Sequence, residues 1–145
     1  MSINILDKEK VVLNARVESK TEAIELAGKL LVEANHVTSE YIQKMLEREE
    51  ALTTFIGNGV AIPHGTEDSK KWIQSTGLSF VQIPNGVDFG DGNMAYLVIG
   101  IAAVGDEHLD ILSNIAIVIS EEENVKKIVQ TTSKEEILEI FSKGM

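Results

Sequence analysis

Apolar residues recur at helical spacing in several stretches of the chain and in continuous runs in others, and the two patterns are interleaved. Residues 11–13 read as a short strand. Behind them Ser19-Lys20-Thr21-Glu22 forms an S-x-x-E capping box, followed by Ala23, Ile24, Leu26, Ala27, Leu30 and Leu31 on one face of a 3.6-residue period, which predicts a first helix. Thr38-Ser39-Glu40 opens a second helix through Tyr41, Ile42, Met45 and Leu46, with Arg48 in its last turn, where a cation suits the helix dipole. The runs 77–83 and 95–103, rich in Val, Ile, Phe and Tyr and bounded by turn residues, predict strands, the second buried on both faces. Shorter strands are expected near Phe55 and over 60–62. After His108, the residues Leu109, Ile111, Leu112, Ile115 and Ala116 fit a helix, and a helical stretch over 121–129 follows. A last helix opens at the capping box Ser133-Lys134-Glu135-Glu136. The only prolines, Pro63 and Pro84, are expected in short Gly-containing connections. The sum is an α/β fold, a mixed β-sheet sandwiched between helical layers in a single domain spanning 1–145.

A chain of 145 residues buries roughly 70% of its unfolded surface, so a pocket-bearing core needs no disulfides. Cysteine is absent, which excludes a disulfide framework, a thiolate metal site and a cysteine nucleophile. The 23 Asp and Glu against 13 Lys and Arg give a formal charge of −10, which works against general nucleic-acid binding and suits a basic or neutral protein partner. The longest apolar stretch, 94–104, has 11 residues, short of the roughly 20 of a membrane-spanning helix. The opening MSINILDKEK has no secretory character, so a cytoplasmic location without membrane insertion is expected.

The most unusual local sequence is Gly57-Asn58-Gly59-Val60-Ala61-Ile62-Pro63-His64-Gly65-Thr66. An imidazole between Pro63 and Gly65 has a fixed approach on one side and no side chain on the other, which favours an exposed site histidine. A Pro-Gly turn that carries a histidine by chance would read the same way. No H-x-x-x-H or H-E-x-x-H spacing supports a catalytic metal, no G-x-S-x-G elbow supports a serine nucleophile, and no P-loop ending supports nucleotide binding. Direct nucleophilic attack by the ring is left. Asp88-Phe89-Gly90 matches a kinase tripeptide, but the chain lacks an H-R-D loop, and a turn is expected. His108 lies at the start of a helix beside three carboxylates, where N–H groups and an imidazole together favour anions such as phosphate. Arg48 adds a planar multi-donor group suited to phosphate oxygens. An ordinary surface histidine and a solvated helix-end arginine are the plainer readings of these two. His36 is taken as structural or incidental.

Across almost the whole chain the sequence resembles the enzyme IIA components of the bacterial phosphoenolpyruvate-dependent sugar phosphotransferase system, of the mannitol/fructose type. The resemblance centres on Gly59-Val60-Ala61-Ile62-Pro63-His64-Gly65-Thr66. It extends through Met45-Leu46-Glu47-Arg48-Glu49, Pro84-Asn85-Gly86-Val87-Asp88-Phe89-Gly90, Leu97-Val98-Ile99-Gly100-Ile101-Ala102-Ala103, Glu107-His108-Leu109 and the block from Thr131 to Leu138. It implies that His64 accepts a phosphoryl group from the carrier protein HPr and passes it to a cysteine of the enzyme IIB domain of the mannitol transporter. In that scheme His108 and Arg48 stabilise the phosphoryl group, and no metal or cofactor is implied. The blocks at 84–90 and 107–109 lean towards mannitol over fructose. The rival readings are a nitrogen-regulatory homologue, a non-catalytic ligand-sensing module and a metal-dependent hydrolase.

Overall fold

Two hydrophobic clusters, one on each face of a central sheet, organise the chain. The structure is a computed structural model describing residues 5–142. Its strands are β1 (Val11–Val12), β2 (Phe55–Gly57), β3 (Val60–Ala61), β4 (Gly77–Asp88) and β5 (Met94–Ala102). The helices are α1 (Lys20–Glu33), α2 (Glu40–Ala51), α3 (Glu107–Ile119), α4 (Glu122–Gln130) and α5 (Lys134–Ser142), with short 3-10 segments at Lys8–Lys10 and Glu67–Trp72. The capping signals act as expected. Ser19 Oγ accepts the Glu22 N–H at 3.1 Å, the Glu22 carboxylate accepts the Glu18 N–H at 2.6 Å, and Ser133 Oγ accepts the Glu136 N–H at 3.2 Å.

The sheet order is β1-β4-β5-β3-β2, with β4 and β5 antiparallel, β1 parallel to β4, β3 parallel to β5, and β2 antiparallel to β3. On β5, Leu97, Ile99 and Ile101 enter the cluster formed with α3, α4 and α5, while Val98 and Ala102 enter the one formed with α1 and α2. That alternation with both sides apolar is the expected doubly buried strand, and it places helices over each face. Asp88-Phe89-Gly90 leads into the expected turn, closed by Phe89 N–H to Asn93 C=O at 2.8 Å and Asn93 N–H to Gly90 C=O at 2.9 Å.

Pro84 departs from expectation. Rather than lying in a connection, it sits inside β4, where pairing with β5 shifts register between Gln82 and Val87. A bulge explains how a strand tolerates it: proline has no N–H for the ladder, and Gly86 takes φ +76° at a point where a Cβ would lie 2.7 Å from the Tyr96 ring.

His36 is structural, as expected, and its setting shows why. It is fully buried between Ser75 Oγ, 2.8 Å from Nδ1, and Lys10 Nζ, 2.6 Å from Nε2. Lys10 also donates to the Ile5 carbonyl at 2.8 Å. Burial, and next the Lys10 charge, push the His36 pKa down to about 4, and burial lowers Lys10 to about 8.

Candidate active site

β3 and β5 run parallel, and the chain leaving β3 stays beside β5: Ile101 N–H donates to the Pro63 carbonyl at 3.0 Å, and His64 bridges to Ile101. His64 is thereby held at the carboxyl ends of two parallel strands, where crevices form in α/β sheets. Contrary to the expected exposure, the ring is half-buried. It lines a cavity of about 470 Å³ together with Arg48, Lys70, His108 and the neighbouring backbone.

His64 Nδ1 lies 2.8 Å from the carbonyl of Ile62, two residues earlier. A carbonyl only accepts, so Nδ1 carries the proton and the Nε2 lone pair is available; no described residue hydrogen-bonds Nε2. Burial lowers the His64 pKa below 6.5, and the nearby His108 and Arg48 push the same way; the Ile62 carbonyl and Glu49 act in opposition. The ring is therefore a neutral nucleophile near pH 7.

Gly65 is required by close packing. A Cβ there would lie 2.5 Å from the Tyr41 ring and closer still to Ser69 Oγ. Tyr41, 2% exposed, places its phenol between two backbone groups, accepting from Gly65 N–H at 2.8 Å and donating to the Ile101 carbonyl at 2.8 Å. Desolvation pushes its pKa up to about 12, so it stays a neutral donor.

The three residues singled out in the sequence converge. His108, the second residue of α3, stands with its ring centroid 5.1 Å from that of His64, edge to face at 60°. Burial and then Lys70 lower its pKa. The segment before α3 is pinned by Thr76, whose hydroxyl donates to the Glu107 carboxylate at 3.1 Å and accepts the Val104 N–H at 2.9 Å. Arg48 donates one N–H to the Leu52 carbonyl at 2.5 Å, with no carboxylate paired to it among the described residues. Leu109, 68% exposed, stands on the cavity lining. Among the described residues no three of His, Cys, Asp and Glu are grouped to hold a metal ion.

Sequence reading did not single out Tyr41, Glu49, Thr54 or Lys70 as parts of the site. One signal for Glu49 was present: Tyr41, Met45 and Glu49 fall at i, i+4 and i+8 on the buried stripe of α2, an uncommon place for a carboxylate.

Comparisons with known proteins cover nearly the whole chain. Positions 4–144 match the family described as "Phosphoenolpyruvate-dependent sugar phosphotransferase system, EIIA 2". The chain belongs to this enzyme IIA family. It is 56% identical over 142 residues to the mannitol-specific phosphotransferase enzyme IIA component of Geobacillus stearothermophilus, covering 98% of each chain. Among solved structures, the IIA–phosphorylated IIB mannitol complex of Escherichia coli matches with a TM-score of 0.90 at 37% identity, over 95% of this chain and 97% of that one. The crystal structure of IIA mannitol from Escherichia coli matches with a TM-score of 0.88 at 38% identity, over 94% and 98%. The mixed sheet between helical layers is thus the enzyme IIA fold, and no helix among the described residues is long and apolar enough to cross a membrane.

Proposed function

We propose that this enzyme IIA is a cytoplasmic phosphoryl carrier for mannitol uptake, taking its phosphoryl group from phosphorylated HPr onto His64 Nε2 and delivering it to the cysteine of the mannitol enzyme IIB. The observation that carries this reading is the Nδ1–H to Ile62 bond, which leaves a neutral ring with its Nε2 lone pair in a cavity shared with Arg48 and His108. Similarity to mannitol-specific relatives favours mannitol over fructose or nitrogen regulation.

Phosphoryl transfer needs attacking and leaving atoms in line and charge spread over the equatorial oxygens. The Nε2 lone pair forms the N–P bond as the donor's bond to phosphorus breaks and its electron pair returns to the donor ring. The remaining N–H groups of Arg48 and the imidazole of His108 line the same cavity as His64, which supports a role for both in hydrogen-bonding those oxygens and offsetting their charge. In the second transfer the N–P bond breaks, its pair returns to Nε2, and the thiolate takes phosphorus. The half-buried ring within a cavity limits attack by water, while the open mouth beside Leu109 admits each partner in turn.

Intact mass after incubation with phosphoenolpyruvate, enzyme I and HPr, kept away from acid, tests the reading. One phosphoryl group is expected on the wild type and none on His64→Ala, with the fold retained. A folded His64→Ala protein that is fully phosphorylated, or a wild type that gains no mass beside phosphorylated HPr, refutes it.

A further inference from the structure

Behind His64 a chain of hydrogen bonds runs away from the cavity and ends on a buried carboxylate. Glu49 is 4% exposed on the inner face of α2, in line with Tyr41 and Met45. A carboxylate there without partners is strongly disfavoured. Its Oε1 accepts both the Thr54 N–H at 2.8 Å and the Thr54 hydroxyl at 2.6 Å, and its Oε2 lies 3.5 Å from Lys20 Nζ. Lys20 is partly exposed and at the long end of ion-pair range, so water screens much of its charge. From Thr54 the path continues to the nucleophile: the Thr54 carbonyl accepts the Ile62 N–H at 3.0 Å, and the Ile62 carbonyl accepts His64 Nδ1–H at 2.8 Å. Every donor points towards Glu49, and because the N–H and C=O of Ile62, like those of Thr54, lie on either side of a Cα, the chain fixes where the ring sits while the Glu49 charge reaches it through space.

We propose that Glu49 is a positioning residue for phosphoryl transfer, holding His64 through the backbone of Thr54 and Ile62 with Nδ1 protonated and Nε2 open, and favouring the ring once it carries the phosphoryl group. The proposal rests on the phosphocarrier reading of His64. When the Nε2 lone pair bonds to phosphorus and the donor's bond breaks, no proton leaves His64; the ring keeps Nδ1–H and gains positive character. A negative charge behind the ring favours that state over the resting one, as a carboxylate behind a catalytic imidazole does, here acting through space. Arg48 and His108, on the cavity side, oppose positive charge on the ring, and Glu49 is the charged group acting against them.

A carboxylate that only stapled Thr54 in place would leave the ring's electronic state untouched when exchanged for an amide, and the test turns on that difference. Glu49→Gln keeps an oxygen to accept from Thr54 and removes the charge. Long-range ¹⁵N–¹H spectra across a pH titration, together with single-turnover transfer from phosphorylated HPr, read the result. His64 should titrate at lower pH than in the wild type, and transfer should slow by about tenfold. Unmoved His64 signals overturn the proposal, whatever the rate. If Glu49→Gln does not fold, Glu49→Met, which removes the charge at similar length on the apolar stripe of α2, should also move the His64 titration to lower pH, and no movement there overturns the proposal as well. A wild type that takes no phosphoryl group defeats the carrier reading, while the ring spectra still decide whether Glu49 governs His64.

Discussion

Replacing Tyr41 with phenylalanine removes one oxygen and tests how the nucleophile's loop is held. That oxygen is 2.8 Å from both Gly65 N and the Ile101 carbonyl, in a residue 2% exposed, so its loss strands a donor and an acceptor away from solvent. Each lost bond is worth about 1 kcal/mol net, with a further desolvation penalty for groups left unmatched, so the total destabilisation is about 2–3 kcal/mol. For a domain of this size a two-state unfolding should then shift its midpoint down by about 5–10 °C, read by circular dichroism during heating. The defect adjoins His64, so transfer from phosphorylated HPr should also slow by several-fold, measured below the melting range. A melting point within about 1 °C of wild type, far below the effect of two lost buried bonds, together with an unchanged transfer rate, would refute the claim that the phenol fixes this loop.

Two further outcomes follow from titration. His36 falls from 6.5 in the unfolded chain to about 4 when folded, so the unfolded state takes up its proton first as pH drops. The stability that His36 contributes is complete above pH 6.5 and is lost on the way down to about 4, on the order of 3 kcal/mol in all. Lys10, at about 8, is protonated in both states across that window and adds no slope. Urea unfolding at pH 7 and 4.5 on wild type and His36→Gln should show the steeper loss in wild type; equal slopes would contradict the assignment. His64 is likewise depressed below 6.5, so the acid limb of the phosphoryl-acceptance rate should fall below the ordinary histidine range, and a half-maximal rate at or above pH 6.5 would count against a neutral buried nucleophile.

What the sequence disclosed was chiefly local. Ser19 and Glu22 announced α1 because a cap is settled within a few residues, and the apolar run on β5 announced a central strand because nothing else accommodates it. Pro63-His64-Gly65 marked the candidate nucleophile because a ring flanked in that way is unusual over three positions. Pro84 was misplaced because a bulge is set by the partner strand, and Gly86 makes room against Tyr96 on β5. Tyr41 read only as an apolar helix position, since its phenol meets Ile101, distant in sequence, once α2 has packed on the sheet. Lys10 gave no hint of burial, because its partner His36 lies on the far side of α1. Glu49 could have been noticed as a charge on an apolar stripe, but its route to His64 runs through backbone groups, and peptide carbonyls leave no mark in a sequence.

The bond from His64 Nδ1 to the Ile62 carbonyl closes within three consecutive residues and borrows nothing from a visiting molecule. Whichever partner arrives therefore meets the same tautomer and the same open nitrogen. A nucleophile prepared in this way has no built-in direction. It is a two-way junction, and the set point of phosphate flow through it lies with the relative phosphoryl-transfer potentials of donor and acceptor, so that a shortage of acceptor should back up into phosphorylated carrier rather than alter the chemistry at His64.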